Sequence, residues 1–320
     1  EGGSGGGAAS PKAFELADEA ARWLLERTEH RPRWGIICGT GLGGLADEVE
    51  NAQVFEYSDI PNFPQTTVAG HAGRLVFGNL AGMPVVLMQG RAHYYEGYSY
   101  EEVTRPVRIF KQMGVESMVV TNAAGAVRAG AGDLRVGDVM MIVDHVNLAN
   151  LAGKNPLVGP NDERLGTRFV DMSDAYNPRL RTAAAAAALH VGVDLKRGVF
   201  AYVGGPTFET PAEVRLLNIL GADSVAMSSV PEVTVARHVG IECLGFSMIS
   251  NLCLETHRPE ILQEELAGDK PAGAEHLDVL KNVQEYAVPN LKKLLRRFFE
   301  VETARDKGYT NDNAATVTRN

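Results

Sequence analysis

Of 320 residues only Cys38, Cys243 and Cys253 are cysteines. They are too few and too oddly spaced for a disulfide framework or a zinc motif. Reduced thiols and a cytoplasmic location are the default expectation. The chain also lacks any apolar run of about 18 residues, the length a membrane-crossing helix needs, and it shows no signal-peptide pattern. An excess of positive charge is missing too: 31 Lys and Arg stand against 40 Asp and Glu, a net charge of −9. That argues against nucleic acid or an anionic membrane as the main partner. A small anion in a local basic pocket remains open. What is left is the composition of an ordinary globular chain, 45% hydrophobic and 22% charged.

Residues 1–9, EGGSGGGAA, are low in complexity and are expected to be disordered. Residues 10–300 read as one domain, and 301–320 as a polar, frayed tail. Within the domain, short apolar runs alternate with helical periodicity, and no long linker divides them. The expected fold is single-domain α/β, with a mixed, mainly parallel sheet flanked by helices. Strands are expected at 34–38, 75–80, 83–88, 118–121, 139–143, 199–203, 224–226 and 241–250. The longest polar stretch, 150–178, is too long for an idle loop and is expected to serve a site or an interface. A long amphipathic helix is expected over 276–299.

Chemistry-bearing residues follow several of these strands. Gly39-Thr40-Gly41-Leu42-Gly43-Gly44 joins a strand to a helix. It has neither the dinucleotide glycine spacing nor the lysine of a P-loop. It is either a tight turn or an anion site built from backbone N–H groups and the Thr40 hydroxyl. Arg91 and His93 come just after another strand, where they share a face if the chain stays extended; a solvated loop explains them equally well. Asn122-Ala123-Ala124-Gly125 offers small residues that let a ligand approach the backbone. Gly204-Gly205-Pro206-Thr207-Phe208-Glu209 ends a strand, and Thr210-Pro211-Ala212-Glu213 reads as a capped helix start. Glu209 is then either a solvated loop carboxylate or a ligand at the strand end, where open α/β sheets bind substrates. Ser229-Val230-Pro231-Glu232 is a second capping-box pattern, which puts Ser228 beside a helix N-terminus. Asn251 ends the last strand.

Seven stretches, ICGTGLGGLADEV, TTVAGHAGRLVFG, QGRAHYYEGY, VTNAAGAV, GPNDERLGTRF, GGPTFETPAEVRLL and SSVPEVTVARH, occur in this order. With them the chain resembles the trimeric, low-molecular-mass purine nucleoside phosphorylases that act on 6-oxopurine nucleosides, over about residues 15–300. The resemblance implies a phosphate site of Thr40, His71, Arg91, His93, the Ala124 N–H and Ser228. It implies Glu209, Asn251 and Phe208 at the purine, and Tyr95, Met227 and His276 at the ribose. His257 competes with His276 for the 5′-hydroxyl, because the stretch between Asn251 and the final helix carries an insertion relative to the vertebrate pattern. Phe169 would reach the site of a neighbouring subunit in a homotrimer. Ala226 stands where this family usually has glycine. Inorganic phosphate would be co-substrate, with no cofactor and no metal.

The implied reaction is phosphorolysis of inosine and guanosine through a cationic ribosyl transition state, with Asn251, Glu209 and His93 as the catalytic groups. A carboxylate at Glu209 accepts from the N1–H of a 6-oxopurine and faces a lone pair in adenosine. A methylthioadenosine phosphorylase and a non-catalytic nucleoside-binding protein on the same scaffold are the alternatives.

Overall fold

The computed structural model describes residues 13–68, 71–128, 134–255, 279 and 281–308. Residues 1–9, His257, His276 and the tail beyond 308 lie outside them. Among the described residues nine strands form one sheet: β1 (Trp34–Cys38), β2 (Glu50–Glu56), β3 (Arg74–Leu80), β4 (Met83–Gln89), β5 (Ser117–Ala126), β6 (Val139–Asn147), β7 (Leu195–Tyr202), β8 (Ser224–Ala226) and β9 (Glu242–Leu252). The α-helices among the described residues are α1 (Ala13–Leu25), α2 (Tyr100–Gln112), α3 (Leu148–Leu151), α4 (Pro178–Val191), α5 (Pro211–Ile219), α6 (Val230–His238) and α7 (Val288–Asp306).

The strand order is β2-β3-β4-β1-β5-β8-β7-β6-β9, and β9 returns to pair with β5. Five of the nine pairings are parallel and four antiparallel. The sheet is therefore mixed and mainly parallel by a narrow margin. One feature goes beyond the sequence reading: β5, β8, β7, β6 and β9 close into a ring. Closure leaves those strands no free edge. It also turns the ends of β5, β8 and β9 toward one another.

Alternate residues of the central strands point to two cores. Ile37, Met118 and Val120 face α1, α2 and α6. Ile36, Cys38 and Val119 face α4 and α7. This is why β1 reads as an unbroken apolar run: both of its faces are covered.

Three elements depart from the sequence reading. Strand β2 carries the mostly exposed sequence ENAQVFE and has no apolar signal of its own. It becomes a strand by pairing with β3. Strand β5 runs on through Asn122–Ala126, with a bulge at Ala124/Gly125 opposite β9. Those small residues lie inside the ladder, not after it. Helix α7 runs to Asp306, past the point where a frayed tail was expected. Glu302 is buried there and accepts both oxygens' worth of bonds from Arg179, at 3.0 and 2.8 Å. In front of α7, Val283–Ala287 is π-helical.

Candidate active site

The C-terminal ends of β1, β4, β5, β8 and β9 and the loop after β7 meet around a cavity of about 360 Å³. Thr40, Arg91, His93, Ala124 and Ser228 line it, as do Tyr95, Met227, Phe208, Glu209 and Asn251. His71 stands behind this wall, with Nε2 3.4 Å from Thr40 Oγ1. Phe169 is 89% exposed and is absent from the lining of its own chain's cavity.

One end is built for an anion. The Gly39 N–H donates to Thr121 Oγ1 at 2.9 Å, and that hydroxyl donates to the Ile37 carbonyl at 3.0 Å. A side chain on Gly39 would put Cβ 2.5 Å from the Thr121 carbonyl, so the turn requires glycine. His93 Nδ1 is 2.8 Å from Glu96 Oε1, which also accepts from the His93 N–H at 2.7 Å. The second oxygen of Glu96 accepts from the Thr67 N–H and hydroxyl at 2.7 and 2.6 Å. Burial pushes the Glu96 carboxyl up, but bonds from His93 and Thr67 outweigh it and hold the pKa at about 2. With Nδ1 engaged, His93 has Nε2 left for a ligand. Burial, then the nearby His93, pulls His71 down to about 4, so its ring is neutral at pH 7. His71, His93 and Tyr95 stack with centroids 5.5 and 4.7 Å apart. Glu96 was not singled out from sequence. The signal was there, a carboxylate three residues after His93 at a turn start.

Two expectations are corrected at this end. The Ser229–Glu232 capping box does not form: Ser229 has φ 75° and no capping hydrogen bond. Both side chains are instead taken by Arg91, whose Nη1 donates to Ser229 Oγ at 3.0 Å and to Glu232 Oε1 at 3.1 Å. Arg91 therefore does not offer its fork to the cavity. Nη2 donates to the carbonyls of Thr121 and, at 3.4 Å, Ile37. Arg91 is 2% exposed. It is a wall residue tied to Glu232 and to backbone carbonyls, with its fork turned into the protein.

The other end suits a flat, polar-edged ring. The capping box expected at Thr210 is present: Thr210 Oγ1 accepts from the Glu213 N–H at 3.3 Å, and Glu213 Oε2 accepts from the Thr210 N–H at 2.7 Å. It anchors the loop that carries Phe208 and Glu209. Burial, with Glu213 adding to it, raises the Glu209 pKa. Ser250 Oγ donates to Asn251 Oδ1 at 2.8 Å, with the Ala124 carbonyl 3.2 Å away. Asn251 Nδ2 is thus the amide group left for a ligand, so Ser250 is a second residue the sequence did not mark. Gly125 makes room for this amide: a Cβ there would lie 3.1 Å from Asn251 Nδ2 and 2.6 Å from Cys253 Sγ. Ala226 lines the cavity between Val225 and Met227. Among the described residues no group of three or more His, Cys, Asp or Glu is placed to hold a metal ion.

An anion wall facing a carboxylate and an amide across one cavity can bring an oxyanion up to a ring-bearing substrate. Comparison with known proteins points the same way. Residues 33–300 match the family model of the phosphorylase superfamily. The chain is 55% identical to the purine nucleoside phosphorylase of Mus musculus over 240 residues, which are 74% of this chain and 82% of the mouse protein. It belongs to the purine nucleoside phosphorylase family. A bacterial family member, purine nucleoside phosphorylase 1 of Geobacillus stearothermophilus, is 54% identical over 235 residues, 73% of this chain and 84% of that one. The Schistosoma mansoni purine nucleoside phosphorylase solved with inosine superposes with a TM-score of 0.81 at 38% identity, over 89% of this chain and 96% of that one. The same enzyme has also been solved with adenosine.

Proposed function

We propose that this chain catalyses the reversible phosphorolysis of purine ribo- and deoxyribonucleosides, with inosine and guanosine preferred. The products are the free base and ribose or deoxyribose 1-phosphate. The observation that carries the reading is one cavity lined both by Thr40, His93 and Ser228 and by Glu209 and Asn251. The reading is supported by the names of the mouse and Geobacillus relatives and by the inosine bound in the Schistosoma enzyme.

Phosphate sits beneath C1′, held by the Thr40 and Ser228 hydroxyls, His93 Nε2 and the backbone N–H of Ala124, with His71 behind Thr40. Arg91 holds this wall in place through its bonds to Ser229, Glu232 and the Thr121 carbonyl. One phosphate oxygen bonds to C1′ as the C1′–N9 bond breaks, and that bonding pair passes into the purine. Asn251 Nδ2 donates to the ring edge where this charge collects. Glu209 accepts from N1–H. Phe208 packs on the base, and Tyr95 and Met227 flank the ribose. Because adenosine enters the related Schistosoma site, selectivity is to be read in kcat/KM, not in occupancy. No cofactor beyond phosphate is called for by these steps.

The working unit in this reading is a homotrimer in the cytoplasm. Phe169, Val158 and Leu151, at 89%, 73% and 75% exposure, are large apolar side chains left to solvent. Phe169 would close the nucleoside end of a neighbouring site. Among the described residues no helix is long and apolar enough to cross a membrane.

The test is hypoxanthine release from inosine with and without phosphate. Strict phosphate dependence is expected. Release without phosphate would make the protein a hydrolase, and no release would make it a binding protein.

A further inference from the structure

Ser229 is held in a backbone conformation that serine disfavours. Its φ is 75° and its ψ −47°, and the Val230 N–H donates to the Ser228 carbonyl at 3.0 Å. That is the rarer, strained form of γ-turn. The other non-glycine residues at positive φ among those described are Asn51, Asn62 and Ala81. Asparagine tolerates this region, and all three have some exposure to solvent, whereas Ser229 is wholly buried. Glycine would occupy the position without strain. Strained residues persist where the surroundings enforce them, and they cluster at functional sites.

What glycine would lack is the hydroxyl. Ser229 Oγ accepts from Arg91 Nη1 at 3.0 Å and from Asn122 Nδ2 at 2.9 Å. Arg91, Asn122 and the preceding residue, Ser228, all line the anion end of the cavity. Around this hydroxyl, Arg91 Nε, Asn122 Oδ1 and Glu232 Oε2 are buried without a partner. Packing for stability alone would pair such atoms.

We propose that Ser229 is a positioning residue for the oxyanion site: its hydroxyl fixes Arg91 and Asn122, and its γ-turn aims Ser228 into the cavity. The inference rests on the phosphorolysis reading. It is tested with Ser229→Gly, which accepts the backbone and removes the oxygen, and Ser229→Thr, which restores it. In the glycine variant KM for phosphate rises by about tenfold or more, the effect of losing a hydrogen bond to a charged group. KM for inosine moves by less than about twofold and shows that the site is folded; the threonine variant recovers most of the phosphate affinity. If the glycine variant does not fold, Ser229→Cys, with its weakly accepting sulfur, is read in the same way. A phosphate KM within about twofold of the parent, or both KM values rising together, would overturn the inference. Failure of the phosphorolysis reading would be distinct: the unmodified chain would release no base on addition of phosphate.

Discussion

At the anion end of the cavity Arg91 and His93 are 2% and 7% exposed; Arg91 is held by β5 and α6, and His93 by Glu96 in its own turn. At the purine end Phe208 is 50% exposed, and Glu209 rides on the loop between β7 and α5. On the proposed function, the difference follows from what each end binds. A small anion of fixed shape is best met by donors set in advance, since dipoles that need not reorganise stabilise charge most strongly. A nucleoside must enter and leave, which suits an end that stays open. If the two ends are distinct in this way, substitutions should separate into those that damage the fold and phosphate binding and those that damage nucleoside use.

The largest effect is expected from Glu232→Ala. It leaves the buried Arg91 guanidinium without its carboxylate, 3.1 Å away in the parent. Breaking such a pair costs about 3–5 kcal/mol, to be read by denaturant unfolding. A loss below about 1 kcal/mol would mean that the anion end is not the rigid half. Glu209→Ala should do the reverse. Losing the acceptor for N1–H costs about 1.5–3 kcal/mol in kcat/KM for inosine, on the order of 10- to 150-fold. Stability and phosphate KM should hardly change. Asn251→Asp should lower activity less, while weakening the preference for inosine over adenosine. Equal kcat/KM for those two nucleosides in the parent would remove the basis of the purine assignment.

The ends should also separate with pH. Glu209 has its pKa raised above 4.5, first by burial. A raised carboxyl pKa means that the proton returns early as pH falls, and the acceptor for N1–H is then lost. The kcat/KM for inosine should therefore fall on the acid side with an apparent pKa above that of an ordinary glutamate, and Glu209→Gln should lack this limb. Glu96, held at about 2, stays ionised throughout. A limb that survives in Glu209→Gln would place the titrating group elsewhere.

The contrast also explains what was legible in the sequence. β1, β4, β7 and β9 announced themselves as apolar runs, and residues after them, such as Thr40, Arg91 and Glu209, could be marked by chemistry. Local signals were reliable where the partner was local, as with Thr210 and Glu213. They failed where a distant side chain competed. Ser229 and Glu232 have the spacing of a capping box, yet Arg91, 138 and 141 residues away, claims both. Closure of β5 through β9 was likewise invisible, because it depends on pairings between strands far apart in sequence. The exposed β2 had no pattern to read. His276 and His257 lie outside the described residues.

The smallest effect is expected at Thr210, and it bears on whether local stiffness at the purine end matters for function. Thr210→Ala removes a cap that costs about 1 kcal/mol to lose. The same box exists at α2, where Ser99 Oγ accepts from the Glu102 N–H at 3.3 Å and Glu102 Oε2 from the Ser99 N–H at 2.8 Å. Ser99→Ala should therefore cost similar stability. Only Thr210 adjoins Glu209, so only Thr210→Ala should also raise KM for inosine, by about two- to fivefold if half or more of the lost capping energy reaches the loop. Phosphate KM should be unchanged in both variants. If the two alanine variants behave alike toward inosine, the cap serves the helix and not the carboxylate beside it. The purine end would then be set by the bound nucleoside itself, not by the mount on which Glu209 sits.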